Sequence, residues 1–391
     1  MGQVKQQWLK HQELHLSSIP DKKVCVRHFE DKAINNFIRR NYQPGYCDYC
    51  NKEVNVVALE EVLVFMMEGI GNYYEDAANF MGYDSREGGY IGDTYTADEL
   101  IQEQIELVTD PFELTEDIVA AIEEIAWAEP DRYYDSERDE LMYHWSYFKD
   151  IIKHKARYLF TSYGAKDSQE NDAFRILSEV GRISKGFNLV HKINKGQKIY
   201  RCRQHHLSRK FTDAKDLVAP PSDYAIYPNR FSPSGISMLY AAFDKETAIR
   251  ETISRENKKA NRITVSEFII DKDIYIIDFN KLPLLPSIFQ HKSVKSYYLI
   301  AFLYDLVRDF TKDITKDGKE HTEYVPTQVV TEFFRYTFNR NRKNKIEGII
   351  YPSSKNKPNS SAVLFWDNEE CLRNLKLERI STIKTTRYLS H

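Results

Sequence analysis

NRFSPSGISMLYAAFDKETAIRET, residues 229–252, sets a turn, a short apolar strand and a capped helix next to one another. The Pro/Ser/Gly run gives way to MLYAAF (238–243), which reads as a buried strand through Tyr240, and Asp244 follows as a good N-cap. On the helix that Asp244 opens, Ala248, Ile249, Thr252 and Ile253 make the apolar stripe, with Glu246 in the first turn and Glu251 one turn later. A first-turn carboxylate opposes the helix dipole, so that explanation suits Glu246 better than Glu251. Wheel geometry does not choose between the two acids.

Outward from this core the texture stays β-rich. KIYRCR (198–203) ends a Lys/Gly-marked turn, and as a strand it points Arg201 and Arg203 the same way. Two cations on one face suit a diphosphate; they also suit an ordinary solvated strand face, and spacing alone does not decide. ITVSEFII (263–270), DIYIIDF (273–279), GIIYPSS (348–354) and SAVLFW (361–366) read as further strands. Helices are expected over 244–257, 296–310 and 327–338, each with an apolar stripe. The chain from 195 to 391 is therefore expected to be an α+β domain.

The preceding residues divide in two. Residues 56–165 carry helical apolar spacing in ALEEVLVFMM (58–67) and DIVAAIEEIAWA (117–128), with an acidic, glycine-containing insert at 85–99. Residues 1–55 are polar and hold Cys25-Val-Arg-His28 and Cys47-Asp-Tyr-Cys50, two pairs separated by eighteen residues. That spacing is the spacing of a zinc-ribbon or treble-clef site, in which Cys25, His28, Cys47 and Cys50 close a tetrahedral Zn²⁺ with no open position. Such a site is structural.

Composition narrows the function classes. An aromatic content of 13% within 42% hydrophobic residues argues for packed cores and against disorder. A formal charge of −3 gives no whole-molecule attraction to nucleic acid or anionic lipid. No apolar run approaches the roughly 20 residues of a membrane span, and the charged N-terminus lacks the apolar core of a secretion signal. A cytoplasmic, reducing compartment is the expectation.

Residues 229–252 resemble the central signature of RES domains: a basic residue, a turn, a Tyr-bearing strand and a helix with Glu. EYVPTQVVTEFFR (323–335) and GIIYPSS resemble the family's later segments in the same order, and KIYRCR its opening strand. The CxxH and CxxC pairs followed by acidic helices look like the HEPN-related N-terminal region that accompanies some RES domains. The resemblance implies a fold similar to ADP-ribosyltransferase toxins and an enzyme that breaks the nicotinamide–ribose bond of NAD⁺. Phosphorolysis, with inorganic phosphate as co-substrate, and hydrolysis are both implied. It further implies a toxin or antiphage-defence role held in check by an antitoxin or other regulatory protein; homo-oligomerisation is left open. The family's catalytic residues fall on Arg201, Tyr240, Glu251 and Ser353, with Arg203 and Arg230 as supporting basic residues for phosphate.

Two other readings compete with this one. One keeps the pocket and transfers ADP-ribose to a macromolecule. The other is an RNA-binding or ribonuclease protein, resting on the basic run 335–345, the metal site, and Arg138 with His144 at a spacing seen in HEPN ribonucleases. Basic runs are usually solvated, and residues six apart on a regular helix do not share a face. Nucleic acid is not an expected partner.

Overall fold

The computed structural model describes residues 3–86, 88–130, 137–159, 172–254, 260–290, 293–312, 314, 318, 320–385 and 388. Two compact units divide it: Met1–Glu137 with Leu284–Leu299, and Arg138–Pro283 with Ile300–His391. This division differs from the three stretches expected. Residues 1–55 do not stand apart from those that follow, because Val24, Ile34, Val56, Leu63, Leu114 and Trp127 share one apolar core.

In the first unit, α1 (Gln3–Glu13) precedes β1 (Lys23–Val24), α2 (Lys32–Asn41), β2 (Gln43–Cys47), β3 (Lys52–Ala58) and α3 (Leu59–Ile70). The strands form an antiparallel sheet in the order β1-β3-β2. Asp31 starts α2 by accepting hydrogen bonds from the backbone N–H groups of Ala33 and Ile34. Two-residue strands β4 (Glu75–Asp76), β5 (Tyr83–Asp84) and β6 (Gly89–Tyr90) follow, then α4 (Ala97–Glu99), α5 (Phe112–Ala121) and β7 (Trp127–Ala128). The helix expected over 117–128 thus stops at Ala121. Ile122 turns extended, and Trp127, 1% exposed, is drawn instead into pairing with Asp76 and Tyr95.

The second unit contains α6 (Glu137–Asp150), whose first residue belongs to the first unit, α7 (Asp172–Gly186), β8 (Val190–Ile193), β9 (Lys198–His205), β10 (Leu239–Ala242) and α8 (Lys245–Thr252). Then come β11 (Arg262–Ile270), β12 (Ile274–Asp278), α9 (Val294–Thr311), which begins in the first unit, α10 (Glu320–Glu323) and α11 (Val325–Glu332). The chain closes with β13 (Ile346–Pro352), β14 (Ser360–Leu364), α12 (Asn368–Asn374) and β15 (Leu375–Lys384). Eight strands form one sheet, ordered β15-β11-β9-β10-β14-β13-β12-β8. Only β12 and β13 pair in parallel, as their long connection through α9 to α11 permits.

All six runs expected as strands in this unit lie in the sheet, and its mixed α+β character agrees with the sequence reading. β8 and β15 were not foreseen. LKLERISTIK lacks a clean apolar alternation because β15 is an edge strand with one paired neighbour, β11. Leu239, Ala241, Ile270, Ile276 and Ile350 share one core of the sheet. A second core gathers Ala242, Ile249, Ile263 and Val265 under α8.

Where β13 meets β14, Gly348 lies opposite Leu364. A Cβ there would come within 2.5 Å of the Val363 carbonyl oxygen. Gly348→Ala is expected to lower stability by about 1–3 kcal/mol, read as a reduced midpoint in denaturant unfolding with an unchanged slope.

Candidate functional site

A cavity of about 400 Å³ opens beside β9, β10 and α8. Arg201 and Arg203, two apart on β9, both line it, together with Tyr200 and Cys202. The Arg201 guanidinium donates from Nη1 to the Tyr240 carbonyl at 2.7 Å, and Arg203 donates from Nη2 to the Val218 carbonyl at 2.7 Å. Both Nε–H groups are buried without a partner among the described residues, and so is the hydroxyl of Ser361, which also lines the cavity. Burial, with Arg203 close by, pushes the Arg201 guanidinium down to about 9. Burial, with Arg209 close by, pushes Arg203 down as well. Desolvated cations with unused donors are costly unless an anion meets them. The two Nε–H groups are donors that an oxyanion could take.

Tyr240 lines the same cavity from β10. Its hydroxyl accepts from the Phe231 N–H at 3.1 Å and lies 3.0 Å from Ser232 Oγ, and burial pushes the phenol up to about 12. Tyr351 stands across from it. Strand register places Tyr351 opposite Ser361, and burial followed by the Glu251 charge pushes its phenol upward. Tyr224 and Tyr227, each 76% exposed, stand among the lining residues.

The structure separates the two acids of α8. Glu246 pairs with Arg250 at 2.7 Å and meets the Tyr388 hydroxyl at 3.2 Å, outside the cavity lining. Glu251 lines the cavity. Ser353 Oγ donates to Glu251 Oε1 at 2.5 Å, while the backbone N–H groups of Lys355 and Asn356 donate to Ser353 Oγ at 3.2 and 3.0 Å. A hydroxyl has one proton, and this one is spent on Glu251. Ser353 is fully buried and does not itself line the cavity. Ser353, which the resemblance puts among the catalytic residues, meets Glu251 in the structure.

Arg230 is likewise engaged elsewhere. Its guanidinium donates to the Phe310 and Lys312 carbonyls at 2.5 and 2.7 Å, at the C-terminal end of α9, and it is not a lining residue. A cation is well placed at a helix C-terminus. The loop that Arg230 anchors supplies Phe231 and Ser232 to the Tyr240 hydroxyl. Arg230 thus serves the cavity through its backbone neighbours, and the phosphate contact expected of it is not made from this position.

Arg138 forks onto Asp305 of α9 at 2.8 and 3.0 Å, and His144 Nε2 lies 3.5 Å from Glu140 on its own helix.

In the first unit, the donor atoms of Cys25, His28, Cys47 and Cys50 lie within 4.8 Å of one another. Cys25 Sγ is 4.0 Å from Cys50 Sγ, and Cys47 Sγ is 3.3 Å from His28 Nε2. The second pair sits in the β2–β3 turn, where Asn51 takes a φ of 53° that permits the reversal. His28 Nδ1 is hydrogen-bonded to the Asp110 carbonyl, which leaves Nε2 as the ligand atom. These four residues could hold a metal ion.

Residues missed in the sequence reading are Tyr351, Asn356 and the exposed lining tyrosines Tyr224 and Tyr227. Tyr351 had a signal: it lies two residues before Ser353 in a strand-like run. Asn356 had none, because its partner is distant in sequence.

Comparison with known proteins follows this architecture. Residues 198–384 match the RES domain, and residues 40–166 match the HEPN/RES N-terminal domain 1. No curated protein matches the chain. Among the described residues, no helix is long and apolar enough to cross a membrane.

Arg230→Ala removes two charge-assisted hydrogen bonds and is expected to cost on the order of 1–3 kcal/mol. Thermal unfolding should show the loss. Arg230→Lys should recover only part of it, since one ammonium does not reproduce the fork.

Proposed function

For a chain that carries a RES domain behind a HEPN/RES N-terminal domain 1, we propose the degradation of NAD⁺ by cleavage of the nicotinamide–ribose bond. The observation that carries this reading is one cavity lined by two arginines with unpaired Nε–H groups and by a carboxylate, Glu251. The domain family agrees with NAD-related toxin or defence chemistry.

In this reading Arg201 and Arg203 bind the diphosphate oxygens, offering the donors they do not use at home. Nicotinamide leaves as a neutral molecule from a cationic ring, so no general acid is required. The ribose carbon becomes oxocarbenium-like. Glu251 stabilises that charge and grips the ribose hydroxyls, held in place by the Ser353 hydroxyl. Tyr240 orients the substrate with its ring, since its hydroxyl is occupied by Phe231 and Ser232. The ADP-ribosyl group passes to inorganic phosphate or to water. A kinship of this sheet with the ADP-ribosyltransferase fold belongs to the same proposal. Unchecked NAD⁺ loss would harm the host, so a regulatory partner belongs to it too.

Zn²⁺ is proposed as a structural cross-link held by Cys25, His28, Cys47 and Cys50. A tetrahedral zinc with bonds of about 2.0–2.3 Å sets ligand–ligand edges of roughly 3.3–3.8 Å, and the observed separations of 3.3 and 4.0 Å are near that range. Metal analysis of purified protein should give one zinc per chain, lost in Cys47→Ser. Chelation should unfold the β1–β3 region, since structural zinc binding is worth on the order of 10 kcal/mol. Full thermal stability without metal would refute the cross-link.

NAD⁺ consumption measured with and without inorganic phosphate tests the chemistry. Nicotinamide release is expected from the wild type and should fall by about two to three decades in Glu251→Gln. Dependence on phosphate would name the acceptor. Equal release by Glu251→Gln would remove Glu251 from the reaction.

A further inference from the structure

Ser353 reaches Glu251 across 102 residues of sequence, so something must hold the turn after β13 against the C-terminal end of α8. We propose that Asn356 and Thr247 are positioning residues that latch this turn onto the first turn of α8 and thereby fix Ser353 against Glu251. The inference rests on the reading of Glu251 as the carboxylate that meets the ribose.

The geometry is a chain of hydrogen bonds that begins at one end of α8 and returns to the other. Asp244, the N-cap, accepts from the Thr247 N–H at 2.8 Å and from the Thr247 hydroxyl at 2.6 Å. Thr247 Oγ1 in turn accepts from Asn356 Nδ2 at 2.7 Å. The Asn356 N–H donates to Ser353 Oγ, and Ser353 Oγ donates to Glu251. Two backbone bonds close the turn itself, Ser353 N–H to the Asn359 carbonyl and Asn359 N–H to the Asn356 carbonyl, each at 2.9 Å.

Each donor in this chain is forced. The Asp244 carboxylate has only acceptors, so it takes the single proton of the Thr247 hydroxyl. Thr247 Oγ1 then has only lone pairs left, which demands an N–H from Asn356 and fixes the orientation of its amide. Thr247 and Ser353 are both fully buried, so water does not replace a lost partner there. Neither Asn356 nor Thr247 lines the cavity. Their effect on the substrate is therefore indirect, through the placement of Glu251.

A positioning role makes a specific kinetic signature. Asn356→Ala and Thr247→Val should lower kcat for NAD⁺ cleavage roughly 10- to 100-fold, the scale of a misplacement of about 1 Å. KM should stay within about threefold, since Arg201 and Arg203 are untouched. Thr247→Ser keeps the hydroxyl and should restore kcat. Asn356→Asp should fail like Asn356→Ala, because it sets an acceptor against an oxygen whose proton is committed.

Hydrogen exchange of the full-length protein provides a reading that does not depend on turnover. The amides of Lys355 and Asn356 donate into Ser353 Oγ, and they should exchange faster in Asn356→Ala and Thr247→Val but not in Thr247→Ser. Unchanged exchange in both disrupted variants, or wild-type kcat in both, overturns the latch. A raised KM with unchanged kcat also overturns it. Should the wild type release no nicotinamide, the proposed chemistry fails, and the exchange experiment still decides whether the turn is latched.

Discussion

The register of β10 and β13 on β14 is the constraint from which the cavity follows. Tyr240 faces Val363, and Tyr351 faces Ser361, in antiparallel pairs on either side of the same strand. Side chains alternate with a period of two, so a slip of one residue in β10, β13 or β14 would turn Tyr240, Tyr351 or Ser361, respectively, to the other face. Gly348 belongs to the same constraint, since its missing side chain lets β13 approach the Val363 carbonyl. β9 completes the wall from the other side of β10, where it contributes Tyr200, Arg201, Cys202 and Arg203.

Electrostatics then explains why the polar groups are distributed as they are. The two arginines on the wall each have one backbone carbonyl as partner and an Nε–H left over. Such a pair is expensive in the empty protein and favourable around an anion. Arg230, the third basic residue singled out, is held by two carbonyls at the end of α9 and behaves as a strut. The difference lies in the partners available rather than in the residue type. The two acids of α8 divide by the same logic: Glu246 is neutralised by Arg250 on the outer face, whereas Glu251 meets a neutral hydroxyl and keeps a face to the cavity.

The first unit shows a parallel economy. Its cysteine and histidine ligands come from a short turn and a hairpin that share a core with the helices beyond them. A metal held there, as proposed, would tie β1, β2 and β3 to a common centre. The apolar core continues past residue 55, which is why the cluster does not mark a separate module.

Local chemistry in the sequence determined a good part of this. Short β-rich runs bounded by turn residues gave the six inner strands, Asp244 gave the start of α8, the Cys and His spacing gave the four converging donor residues, and the motif around Tyr240 gave the resemblance to RES domains that residues 198–384 match. Those signals lie within a few residues of one another, so they survive without knowledge of the fold. The choice of Glu251 over Glu246 by position, the diversion of Arg230 to a helix end, the edge strand β15 and the bond from Ser353 to Glu251 depend on partners as distant in sequence as Arg262 and Lys384. A side chain's role is set by what it touches, and contacts across such distances exist only once the sheet has fixed which strands are neighbours.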